Sequence, residues 1–93
     1  MEKFLFYLYI LTGSESSEIA IRNVKKFCEE EIQSNYEIFI IDILEEPYLA
    51  EESKILVAPT LIKESPGKPI RVVGDFCDTD KLMQIFDLEK VYG

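Results

Sequence analysis

The sequence predicts an α/β fold: one domain over residues 1–93, with elements in the order β-α-β-α-β-β-α. Three observations carry that prediction. Phe4-Leu5-Phe6-Tyr7-Leu8-Tyr9-Ile10-Leu11 is an unbroken apolar and aromatic run of strand length. A stretch with apolar residues three and four apart follows, then a second strand-like run from Tyr36 to Ile43. Strand, helix and strand at that spacing make a parallel crossover unit, which is right-handed. Lastly, Ile55-Leu56-Val57-Ala58-Pro59-Thr60-Leu61-Ile62-Lys63 carries an apolar run into an Ala-Pro bond and re-enters a strand through Thr60.

Each element has a local cause. The first strand lacks polar alternation, so it is expected to be central and buried on both faces, with Thr12-Gly13 ending it. Ser14, Ser16 and Ser17 offer N-cap hydroxyls to the helix that follows. On that helix Ile21, Val24, Cys28 and Ile32 form a stripe widened by Ala20 and Phe27, and the charged residues fall elsewhere. Ser34-Asn35 breaks it, and Tyr36–Ile43 is rich in β-branched residues. Pro47 suits the first position of a short helix over roughly Pro47–Lys54. After Pro59 a third strand covers about Thr60–Lys63. Glu64-Ser65-Pro66-Gly67-Lys68-Pro69 is a loop, and Ile70–Val73 is a fourth strand ended by Gly74-Asp75. Asp78 or Thr79 caps a last helix that turns Leu82, Ile85 and Phe86 inward.

Bulk properties narrow the function. Ninety-three residues suffice for one core, and 47% hydrophobic with 30% charged residues is ordinary for a globular chain. The net charge of −8, with no basic stripe, opposes nucleic acid as a partner. Eight apolar residues at Phe4–Leu11 are too few to span a bilayer, and no small-residue cleavage site follows them. Two widely separated cysteines are fewer than a small secreted domain usually carries, so a cytoplasmic location is expected.

The residues also argue against catalysis. There is no histidine, hence no common general base and no common metal ligand. Cys28 lies on the apolar helix stripe and is expected to be a buried structural thiol. Cys77 precedes the last helix and is the one candidate regulatory thiol. Asp75, Asp78 and Asp80 cluster but lack the ligand series of a Ca²⁺ loop. The serines at the first helix have no evident base and serve better as caps. We therefore expect no catalytic residue, no metal and no cofactor. What remains is surface: Lys54, Lys63 and Arg71 flank the proline segment of an acidic chain.

The Ala58-Pro59-Thr60 turn resembles the point in thioredoxin-like folds where a cis-proline turn feeds a strand beside the dithiol. Here the dithiol position reads Thr12-Gly13-Ser14-Glu15-Ser16-Ser17. The resemblance implies a thioredoxin-like βαβαββα domain without the redox pair.

A narrower resemblance covers about Phe4 to Leu88. Lys54-Ile55-Leu56-Val57-Ala58-Pro59-Thr60-Leu61, Arg71-Val72-Val73-Gly74-Asp75-Phe76, and Ile40-Ile41-Asp42-Ile43-Leu44 followed by Pro47-Tyr48-Leu49-Ala50-Glu51 resemble, in order and spacing, motifs of the KaiB family of bacterial clock proteins. The chain departs from the pattern at Gly13, which is shifted by one, and at Glu15, which replaces a proline. The resemblance implies a non-enzymatic regulatory protein, in circadian timing or stress-related signalling, that docks on a KaiC-like RecA-type ATPase ring. It also implies two folds: a resting homo-oligomer (tetramer or dimer) with a rearranged C-terminal half, and a thioredoxin-like binding form sharing the same first βαβ half. Lys54, Ala58, Pro59, Lys63, Arg71, Gly74 and Asp75 are the expected partner-binding or switch residues. Two alternatives stand beside this: a degenerate redox protein using Cys77, and a sensor-type module docking a histidine kinase.

Overall fold

A computed structural model describes residues 3–33, 35–74 and 76–88; Ser34 and Asp75, two of the residues singled out above, lie outside that set. The elements are β1 (Phe4–Ile10), α1 (Glu15–Phe27), β2 (Tyr36–Asp42), α2 (Pro47–Glu52), β3 (Thr60–Ser65), β4 (Ile70–Val73) and α3 (Thr79–Ile85). Between α1 and β2 the helix runs on through a π-helical turn, Cys28–Ile32, which keeps Ile32 on the core side. The expected order holds, and β1 and β2 are parallel with Phe4 opposite Tyr36 and Ile10 opposite Asp42.

The sheet order is β2-β1-β3-β4, with β3 antiparallel to both of its neighbours. The unbroken apolar run therefore becomes an inner strand, because only there are both of its faces covered. Phe6, Leu8 and Ile10 enter the larger core; Tyr7 and Tyr9 belong to the smaller one.

The larger core lies under α1 and α3. Ala20, Val24 and Phe27 of α1 and Leu82, Met83 and Phe86 close over Phe6, Leu8 and Leu61. The Phe86 ring tilts against Phe6 at 5.8 Å and Phe27 at 6.2 Å between centroids. The helices start where capping allows. Ser14 accepts the Ser17 N–H, and Asp78 accepts the Lys81 N–H at 3.1 Å. Among the described residues the opposite face carries only α2, six residues long with Pro47 at its start, over Tyr9, Ile41, Ala50 and Ile62. That short cover leaves apolar surface open beside it.

Candidate functional site

The loops at the C-terminal ends of β1 and β2 meet through side-chain hydrogen bonds. The Thr12 hydroxyl donates to the Asp42 carboxylate, and the Leu44 N–H donates to the same group at 2.8 Å. These bonds, Thr12 first and Leu44 next, hold the Asp42 carboxyl below the usual aspartate range. In thioredoxin-like enzymes the reactive pair sits at the start of the helix after β1. Here that place is filled by hydroxyls engaged with each other and the backbone. Ser14 caps α1 and lies 2.8 Å from the Ser16 hydroxyl, while the buried Ser17 hydroxyl accepts the Leu11 N–H at 3.0 Å.

Neither cysteine supplies a substitute pair. Cys28 is wholly buried in the larger core, and burial, with Glu29 adding to it, pushes its thiol up to about 12. It is protonated and inert at neutral pH. Cys77 is exposed just before α3, beside a groove of about 210 Å³. A thiolate site needs a lowered pKa and a resolving partner; the buried Cys28 offers neither. Among the described residues no cluster of three or more Cys, Asp or Glu side chains is arranged to hold a metal ion.

The proline segment is built differently. Ala58–Pro59 is a cis peptide, as is Ser65–Pro66. The Thr60 hydroxyl donates to the Val57 carbonyl at 2.6 Å, which turns the chain into β3. The Gly74 N–H donates to the Pro59 carbonyl at 3.4 Å, so the end of β4 is tied to the proline turn. Gly74 has φ +146°, a conformation that side-chain-bearing residues avoid. Arg71 comes from the same strand: its guanidinium donates to the Lys54 carbonyl at 2.9 Å and to the Ser53 carbonyl. A cation on the carbonyls just past the end of α2 complements the helix dipole. Lys54 itself has φ +54° and leaves the helix there.

Five of the expected site residues thus form one region: Lys54, Ala58, Pro59, Arg71 and Gly74 are linked by Arg71 to the end of α2 and by Gly74 to Pro59. Lys63 is not on this surface, contrary to the expectation that it flanks the segment with Lys54 and Arg71. It is 5% exposed, its ammonium donates to the Pro66 carbonyl, and it lies 5.9 Å from the centre of the Phe4 ring. The cause is strand alternation. Lys63 pairs with Phe6 and shares the face of Leu61, whereas Arg71 pairs with Ile62 on the other face. Asp75 lies outside the described residues.

Sequence reading missed the apolar surface around α2. Leu56 is 93% exposed, Tyr48 76% and Leu44 71%, and Val57 is also exposed. Leu56 and Val57 read as the lead-in to a strand. Their position between a helix end and a proline was the available signal that they precede the sheet rather than join it. Exposed large apolar side chains grouped along one segment mark interaction surfaces.

Comparison with known proteins agrees with the geometry. The KaiB domain model matches residues 7–88. The circadian clock protein KaiB3 of Synechocystis is 41% identical over 88 residues, covering 95% of this chain and 86% of the relative. The circadian clock oscillator protein KaiB of Microcystis aeruginosa is 38% identical over 85 residues, covering 91% and 82%. These relatives are named as clock proteins, not as enzymes. Among solved structures, the N-terminal domain of Synechococcus elongatus SasA superposes with TM-score 0.76 at 24% identity, over 99% of this chain and 91% of that one. Mitochondrial thioredoxin 3 of Saccharomyces cerevisiae gives 0.72 at 19%, over 95% and 81%. The fold is thioredoxin-like. Among the described residues no helix is long and apolar enough to cross a membrane. Matched by the family model over residues 7–88 and by these relatives over most of its length, the chain belongs to the KaiB family.

Proposed function

We propose that this chain is a non-enzymatic regulatory protein that docks on a KaiC-like, RecA-type ATPase ring through the surface around α2 and the proline turn. Family membership supports the class of partner. The observation that carries the location is the exposed apolar segment, with Leu56 at 93% exposure beside Lys54 and Arg71. Largely exposed leucine and tyrosine side chains gain most when a partner covers them. The reaction classes open to a thioredoxin-like fold have no support at the usual place, where hydroxyls are committed to capping.

The test is direct. Size-exclusion chromatography with light scattering, with and without the ring, reads the complex. Leu56→Asp should weaken ring binding by roughly tenfold or more while leaving the unfolding midpoint nearly unchanged. Full affinity in that variant would sink the location. A pull-down that returns a histidine kinase and no ring would move the reading to the sensor-type alternative.

The proposal includes a second, rearranged fold in a resting homo-oligomer, tetramer or dimer. Its support is the build of the second half: α2, β3, β4 and α3 are six, six, four and seven residues long. Two packings of one sequence need differ by only a few kcal/mol to exchange. Gly74 is the point at which to bias them. Alanine there strains the thioredoxin-like form by about 1–3 kcal/mol, because that form holds φ +146°. Gly74→Ala should shift the population toward the resting oligomer and lower ring affinity. Unchanged mass and affinity would count against the switch.

A further inference from the structure

On the α1/α3 side of the sheet, the β3–β4 turn and the end of α3 border an open surface hollow of about 450 Å³. Its walls include Phe4, Pro66, Ile70, Phe86 and Leu88, an apolar lining within the size range of small-ligand sites. Among the described lining residues are two lysines, Lys63 and Lys68, and a single carboxylate, Asp87. The described lining is therefore net positive in a chain whose net charge is −8.

Lys63 is the unusual member. Its side chain is drawn inward by the pairing with Phe6, and it is 5% exposed. Its ammonium has one carbonyl, that of Pro66, and the face of the Phe4 ring. Among the described residues no carboxylate forms an ion pair with it. An ammonium carries three donors, and a buried charge is costly unless it is paired and hydrogen-bonded. The Pro66 carbonyl takes one donor, and the ammonium, which lines the hollow, has no carboxylate partner among the described residues.

We propose that this hollow binds a small amphipathic monocarboxylate, whose head pairs with the Lys63 ammonium and whose short apolar body lies against Phe4, Ile70 and Leu88. One negative charge matches the net positive lining. One carboxylate gives the ammonium a charged acceptor, and the apolar walls take the chain. The site is separate from the docking surface, since Lys63 and Arg71 project from opposite faces of the sheet, so it stands or falls independently of the ring.

The experiment is an amide NMR titration of the full chain with octanoate, and with octanol as its uncharged counterpart. Saturable shifts are expected at residues 63, 67, 68, 70 and 86–88, with octanoate preferred over octanol by roughly tenfold. Lys63→Met should abolish that preference while octanol still binds. Lys68→Glu, an exposed change that keeps the fold intact, should weaken octanoate severalfold and leave octanol unaffected. If Lys63→Met loses its folded spectrum, Lys68→Glu decides the question. Absence of saturable shifts at millimolar octanoate overturns the proposal. So does equal binding of octanol, an octanoate preference that survives Lys63→Met, or an unchanged octanoate affinity in Lys68→Glu. Shifts at these residues that follow protein concentration instead of octanoate would assign the hollow to a second copy of the chain and also overturn it.

Discussion

Leu61 and Ile62 are neighbours on β3, yet they enter different environments. Leu61 is fully buried among the side chains of α1 and α3; Ile62, at 6% exposure, meets only the small cluster beneath α2. One face of the sheet is roofed by thirteen residues of α1, the π-helical turn after it and α3, and closes around stacked and tilted aromatic rings. The other is roofed by six residues of α2, and Leu44, Tyr48 and Leu56 stay in solvent around it. The first face holds the fold. The second presents apolar side chains that contribute little to folding and are available to a partner.

The largest expected effect tests that asymmetry within one strand. Leu61→Ala should destabilise the domain by about 3–4 kcal/mol, because the packed helices cannot collapse into the space. Ile62→Ala should cost about 2 kcal/mol, since the smaller cluster has a looser roof and relaxes further. Urea unfolding followed by far-UV circular dichroism reads both. Equal losses would mean that the α2 face is as tightly closed as its opposite, and the contrast would fail.

A smaller effect separates α2 from the sheet it covers. Arg71 reaches from β4 to the Ser53 and Lys54 carbonyls, a polar tie across the open face beside the bond between the Tyr9 and Ser53 hydroxyls. Arg71→Ala should cost about 1 kcal/mol, as two exposed hydrogen bonds to charge are exchanged for water. Hydrogen exchange should then speed up selectively in α2, at Leu49 and Ala50, while α1 amides keep their protection. Uniform acceleration across both helices would show that α2 is not an independent cover.

Much of this architecture was legible in the residues. β1 reads as central because nothing polar interrupts Phe4–Ile10, and every helix start was set by a capping residue or by Pro47. β4 falls on Ile70–Val73 as expected. The site was legible in part. Pro59 and Gly74 carry conformational signals that survive in a linear sequence. The Arg71 link to α2 does not, because it depends on how two elements 17 residues apart stack. Lys63 was misplaced for a different reason. Its charge argued for solvent, while the two-residue period from Leu61 argued for the core, and pairing with Phe6 settled it in favour of the period. The exposed Leu56 escaped notice because an apolar run before a strand is normally read as strand.

Asp42 gives the smallest effect and places it at the seam between the two faces. It ends β2, where the Thr12 hydroxyl from the β1–α1 loop and the Leu44 N–H from the lead-in to α2 both reach its carboxylate. Those bonds favour the charged form, so the folded-state pKa lies below the ordinary 3.8. A depressed carboxylate contributes stability that is fully present above the unfolded value and is lost as pH falls through the folded one. Wild type should therefore exceed Asp42→Asn in stability at neutral pH, with the gap closing on acidification below about pH 4. Thr12→Val removes the largest cause, and the Asp42 carboxyl followed by carbon NMR should titrate closer to 3.8 in that variant. An unmoved midpoint in Thr12→Val, or a stability gap that persists in acid, would show that this bond does not join the loops. The cover over the open face would then rest on the backbone, on Arg71 and on the 2.8 Å hydrogen bond between the Tyr9 and Ser53 hydroxyls, and the Arg71→Ala loss should come out correspondingly larger.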